Sequence, residues 1–174
     1  MNKNTTLPAL CKTHKEPEHH RVKPLSSPFE FKTLPGHCYC TKCGAISFQK
    51  RWYIDATMEQ HLRLDPNGHA VLCPGCTRLQ EELYEGEVVL ANAKFAALAG
   101  EIIALIRHIE GRCWHHNPLT RIAAFADDQA VIHIQTTTRK LAETIGKELH
   151  KTFKGKLEIK RSAEEKFVRI YWRD

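Results

Sequence analysis

The sequence predicts an α+β fold in two modules, and three features of the 174-residue chain carry that expectation. Two C-x-x-C pairs, 40/43 and 73/76, bracket a short stretch that can be held by its cysteines. A long apolar stripe at 3-and-4 spacing follows and marks a helix. Beyond it the hydrophobic period alternates between 2 and 3.6, in the order β-β-α-β-β. The fold expected is a four-cysteine ribbon or knuckle module, then a helix and an antiparallel-sheet domain with two helices on one face.

Residues 1–34 hold four of the eight prolines, three histidines and six Lys/Arg against three Asp/Glu, with little apolar periodicity. They read as an extended basic arm. Residues 35–90 form the cysteine module. Within it Ala45 to Ile54 suits one or two hairpin strands, and Asp65-Pro66-Asn67-Gly68 is a turn signal. Thr77 to Tyr84 suits a short helix that stops at Gly86, and Glu87 to Leu90 a strand.

Residues 91–174 form the α+β domain. Residues 91–115 are the clearest helix: Phe95, Leu98, Ala99, Ile102, Ile103, Ile106, Ile109 and Cys113 fall on one stripe, which suits a packed core better than a partner groove. The helix ends near Asn117, which Pro118 pushes out of helical backbone. Residues 119–126 and 130–136 alternate around Asp127-Asp128-Gln129. Thr138 to Phe153 is helical again, and 156–161 and 167–173 alternate around S-A-E-E-K.

Seven cysteines are an odd count, and the C-x-x-C spacing favours metal thiolates in a reducing compartment over a disulfide framework. The start of the chain has no apolar h-region, and no run of apolar residues is long enough to span a membrane, so a cytoplasmic protein is expected. Cys40, Cys43, Cys73 and Cys76 offer four thiolates for one Zn2+, a closed and therefore structural site. Gly44 and Gly75 give such knuckles the left-handed backbone they often need. An iron–sulfur cluster is the main rival ligand for four cysteines. Cys38 and His37 compete with Cys40 but lack the knuckle spacing, and His61 and His69 are alternates in the insert. Cys113 falls on the apolar stripe as a small hydrophobe.

The net charge of +6 sits at the two ends of the chain. Residues 138–174 carry eleven Lys/Arg against six Asp/Glu, whereas residues 35–90 carry five against seven. On a wheel with Lys140 at zero, Lys147, Lys151 and Lys154 fall within roughly 40°, opposite Leu141, Ala142, Ile145, Leu149 and Phe153. Arg139 begins this row, and Lys156, Lys160 and Arg161 are expected to continue it past the helix. A uniformly positive stripe over four turns suits phosphates, so RNA contact is expected there. Lys50, Arg51 and Trp52 form a second RNA-binding candidate, with Trp52 equally suited to closing the core of the cysteine module.

The chain has no P-loop, no H-E-x-x-H and no G-x-S-x-G, and its C-P-G-C lacks the preceding proline of the zinc deaminases. A non-catalytic protein is expected, with no small-molecule substrate. A protein–protein adaptor, whose zinc module docks an acidic partner, is the alternative to RNA binding.

C-T-K-C-G-A, K-R-W and C-P-G-C-T-R-L, together with L-A-E-T-I-G-K-E-L-H-K-T-F-K-G-K-L and V-R-I-Y-W, resemble a family of small bacterial zinc-ribbon proteins. That family is similar to the N-terminal region of the nonsense-mediated-decay protein three, the export adaptor of the large ribosomal subunit. The resemblance covers roughly residues 38–174. It implies zinc on Cys40, Cys43, Cys73 and Cys76 and association with ribosomal RNA of the large subunit, in assembly, dormancy or quality control. The chain has only two C-x-x-C pairs and far less length than the adaptor, so an export role does not carry over.

Overall fold

The computed structural model describes residues 37–91, 95–128, 131–162 and 166–173; the basic arm, 1–34, lies outside them. The described residues form four helices and two mixed sheets, an α+β architecture as expected.

The first sheet is built from strands of three residues: β1 (Cys38–Cys40), β2 (Ile46–Phe48), β3 (Arg51–Tyr53) and β4 (His69–Val71), in the order β3-β2-β1-β4. β2 and β3 form the expected hairpin. Its two turn residues, Gln49 and Lys50, both take positive φ, as a tight two-residue hairpin turn demands. The insert before β4 holds a helix the sequence did not predict, α1 (Ala56–Leu64). Asp55 caps it by accepting from Met58 N–H at 3.0 Å, and Glu59 pairs with Arg63 one turn on. Asp65 then starts the predicted turn, accepting from Asn67 N–H at 2.8 Å and Gly68 N–H at 2.9 Å. The chain returns as β4, parallel to β1, with Cys40 opposite Val71.

After α2 (Pro74–Gln80), the second sheet contains β5 (Gly86–Ala91), β6 (Ile122–Asp128), β7 (Val131–Thr136), β8 (Lys156–Ser162) and β9 (Phe167–Arg173). Its order is β6-β7-β5-β9-β8, and β5 runs parallel to β9 while the other pairs are antiparallel. Two expectations change here. The sheet is mostly antiparallel as expected but has one parallel pair, β5–β9, and the strand read as the end of the cysteine module lies at its centre. Val88 and Leu90 are fully buried; their strand needs a neighbour on each side and a helix above, which the small first sheet does not offer.

Helices α3 (Phe95–His116) and α4 (Arg139–Phe153) cover one face of this sheet. Ile102, Ile106 and Ile109 from α3 and Leu141, Ile145 and Leu149 from α4 meet Val88, Leu90, Ile132, Ile134, Val168, Ile170 and Trp172 in one core. Each such side chain contributes roughly 1.5–3 kcal/mol by leaving water. The α3 stripe is therefore packing, with Leu98, Leu105 and Cys113 at its margin. Trp172 is 1% exposed and donates to the Lys154 carbonyl at 2.9 Å, tying β9 to the end of α4. Strand alternation sends Glu87, Val89, His133, Gln135, Arg169 and Tyr171 to the other face, and none of them belongs to the core cluster.

Three consecutive threonines join the layers. Thr136 donates to the carbonyls of Gly86 and Thr138, at 3.3 and 3.0 Å. Thr138 caps α4 by accepting from Leu141 N–H. Thr137, fully buried, donates to the Leu119 carbonyl and accepts from Arg121 N–H, both at 2.8 Å. Thr137→Val keeps the volume but orphans a buried donor and acceptor. It is expected to lower stability by about 1–3 kcal/mol in urea unfolding, with the slope unchanged; a midpoint equal to wild type would contradict this.

Candidate metal centre and basic face

The parallel β1–β4 pair brings the two cysteine pairs together across the long insert. In the first knuckle Cys40 ends β1 and the chain folds back at Gly44, whose φ of 72° is the left-handed turn expected of it. Gly44 N–H donates to the Cys40 carbonyl at 3.0 Å, and Cys40 N–H to the Ala45 carbonyl at 2.7 Å. The second knuckle opens α2. Cys73 is its cap and Pro74 its first residue, and Cys76 N–H donates to Cys73 Sγ at 3.4 Å. Cys73 N–H donates to Cys40 Sγ at 3.3 Å, linking the knuckles.

Gly75 has a different role from the one expected. Its φ is ordinary, but a Cβ there would stand 2.9 Å from both Leu119 Cα and the Pro118 carbonyl oxygen. The residue is small so that α2 can lie against the loop between α3 and β6. Arg78 fixes the same contact, donating to the Thr137 carbonyl at 2.8 Å and pairing with Glu85 at 3.0 Å. No motif announced Arg78; an arginine one turn beyond the knuckle was the only trace.

The four sulfurs of Cys40, Cys43, Cys73 and Cys76 lie within 4.8 Å of one another, and Cys43 and Cys73 are 3.6 Å apart. Thiolates about 2.3 Å from one tetrahedral ion would sit about 3.8 Å apart, so the set fits a single metal ion. These cysteines are free thiols. Cys43 is drawn down to about 5, chiefly by the Cys73 thiol that donates to it. Cys73 is correspondingly raised by that bond, and Cys76 is pushed up to about 12 by burial and then by the negative charge of Cys43. The pocket thus favours one thiolate and resists more until a cation balances them.

Cys38 shares the buried side of β1 but stands outside the four-sulfur group, and burial pushes its thiol up. His37, His61 and His69 are exposed and stand outside it too. Trp52 and Ile54 pack against the cysteines, so the indole serves the module's core, while Lys50 and Arg51 remain exposed.

On α4, Arg139, Lys140, Lys147 and Lys151 are all exposed, along the side away from the buried Leu141, Ile145 and Leu149; Lys154 is exposed too, but as the cap just past the helix its φ of 64° takes it off the helical wheel. Glu143 beside the row accepts from Arg161 at 3.0 Å and pairs with Lys147 at 3.6 Å. The Arg161 bond holds its carboxyl below the ordinary range. Arg161 therefore extends the row, but Lys156 and Lys160 do not. They pair in register with Arg173 and Arg169, on the face opposite the helices, because every second residue of β8 changes sides.

No protein-family model matches the chain, and no curated protein matches it significantly. No described helix is long and apolar enough to cross a membrane.

Metal binding must strip protons from Cys73 and Cys76, since their raised thiols stay protonated at neutral pH without an ion. Affinity should therefore rise with pH, and loading should release protons. Competition with a chromophoric chelator at stepped pH around neutrality checks this; equal affinity across the range would contradict it. Hydrogen exchange after chelation should show loss of protection in β1 to α2, with the core of the second sheet still protected.

Proposed function

We propose that this chain is a zinc-stabilised, non-catalytic RNA-binding protein that associates with the ribosome, through RNA of the large subunit. The observation that carries the reading is the exposed row of Arg139, Lys140, Lys147 and Lys151 on α4, a helix anchored by its opposite face, with Lys154 at its C-cap. The helix fixes the points from which these side chains project, so only the side chains have to order on a line of phosphates. Zinc suits the four thiolates best: it prefers a closed tetrahedral sulfur set and brings no redox chemistry. When bound it supplies charge neutralisation within the module. Lys50 and Arg51, at the tip of the β2–β3 hairpin, offer a second point of contact. The ribosomal assignment rests on the family resemblance of the cysteine motifs and the α4 to β9 segment.

The adaptor reading keeps one observation in its favour. Among the described residues, the five exposed large hydrophobics, Phe48, Tyr53, Met58, Leu64 and Leu72, lie in the cysteine module, where a protein partner could cover them. Gradient sedimentation with and without RNase separates the two.

If four to six cations meet phosphates, log affinity for RNA should fall with log salt at a slope of roughly −3 to −4. Lys147→Glu with Lys151→Glu should flatten that slope and weaken binding at least tenfold. Glu143→Gln, which frees Lys147 and Arg161, should strengthen binding about twofold. A salt-independent affinity, or a protein that stays at the top of the gradient and fails to bind purified subunits, would sink the proposal.

A further inference from the structure

We infer that the helix-free face of the five-stranded sheet, centred on Tyr171, is a platform on which a base of single-stranded RNA stacks. The inference rests on the RNA-binding reading above but concerns a different surface, across the sheet from α4. Three observations converge on it.

The first is the placement of the ring. Tyr171 lies on β9, one strand in from the β8 edge, opposite Glu158 on β8 and Val89 on β5. Its side chain is half-buried on the face that carries none of the core cluster. Lys160 Nζ lies 5.0 Å from the ring centroid and Arg173 Cζ 5.8 Å. Lys156, Glu158, Tyr171 and Arg173 line a small surface hollow. Both cations lie over the ring, so a base stacking there takes the place of one of them on the π-face and leaves it free to meet a flanking phosphate.

The second is the state of the charges. Glu87 is occupied, accepting from Arg169 at 2.7 Å and bonding His133 at 3.0 Å. Lys160 meets Glu158 at 3.5 Å in an exposed pair that solvent screens. Lys156 and Arg173 have no carboxylate at ion-pair distance among the described residues. The corner around Tyr171 is thus left with a net positive charge, complementary to an anionic strand.

The third is what the face lacks. Among the described residues the exposed large hydrophobics all lie between residues 48 and 72, and this sheet face contributes none. A protein partner would find only the partly buried Val89 and the Tyr171 ring to cover, set among charged side chains. An aromatic ring among cations is instead the surface that takes unpaired bases, because every base offers a π-face. A duplex keeps its bases stacked inside and cannot use the ring.

Fluorescence anisotropy tests this with a labelled oligouridylate and, separately, a short RNA duplex. Tyr171→Ala should weaken binding of the oligouridylate about tenfold, while Tyr171→Phe stays within twofold of wild type. Neither should change duplex binding, whereas the α4 double reversal should weaken both RNAs. Arg173→Glu, at the end of its strand, should repeat the selective loss, and far-UV circular dichroism checks that each variant folds. Equal oligouridylate binding by wild type and Tyr171→Ala overturns the platform while leaving the α4 reading standing. So does an equal loss on both RNAs. If wild type binds neither RNA at low salt, the RNA-binding reading fails and the platform fails with it.

Discussion

Strand β5 is the constraint on which the rest of the molecule is arranged. Val88 and Leu90 are fully buried, so the strand has to be covered above and paired on both sides. β7 pairs with it antiparallel and β9 parallel, and together they form the base on which α3 and α4 pack. Its first residue is also where the cysteine module meets the sheet. Just before it, Glu85 pairs with Arg78, its N–H donates to the Thr136 carbonyl and its own carbonyl accepts from Val168. The knuckle helix α2 is held to the sheet through this short connection and through the close approach at Gly75. A metal ion in the four-sulfur pocket would therefore set not only the shape of the first sheet but the position of α2 against the loop at 118–121.

The two faces of the second sheet have different electrostatic characters, and strand parity creates the difference. Along β8, Leu157 and Ile159 pack against the core while Lys156 and Lys160 face away. The cations of α4 form an outer row interrupted by Thr144 and moderated at Glu143. Those of β8 and β9 gather around an aromatic ring and are partly neutralised by Glu87 and Glu158. A helical row of fixed charges meets phosphates without regard to what the bases do. A ring flanked by cations requires an unpaired base. The edge strand gains as well, since Lys156 and Lys160 discourage pairing with another chain.

The long elements were legible in the sequence because their periodicity is set by packing on one side. α3 and α4 lie close to where the 3-and-4 spacing puts them, and the two C-terminal strand pairs where the alternation does. The four cysteines of the cluster were legible from spacing, and Gly44 from its place behind Cys43. α1 was not, because only Leu62 of its nine residues is buried, leaving almost no stripe; Asp55 and the Glu59–Arg63 pair were its only signs. β1 and β4 are too short for any period to register. The pairing of β5 with β9 joins residues some eighty positions apart, with no turn to fix it. Lys156 and Lys160 were misplaced for a simpler reason: nearness in sequence to the helix row outweighed the alternation that sends them to the other side.

The division of labour between metal and charge follows from where each sits. Residues 35–90 are net acidic, and the cysteine cluster is buried beneath Trp52 and Ile54. A closed sulfur site there has no open position for substrate and presents no positive field to an anion. Apart from the Lys50–Arg51 hairpin, the surfaces suited to a polyanion belong to the second sheet and its helices, whose core is complete without a metal. If the proposed function holds, loss of an ion would act on RNA contact at a distance, by releasing α2 from the 118–121 loop and moving the Lys50–Arg51 hairpin, while the α4 row stays in place. On the proposed reading, any coupling between metal and RNA runs through the module's position, and its strength is bounded by the few contacts made by Gly75, Arg78 and Glu85.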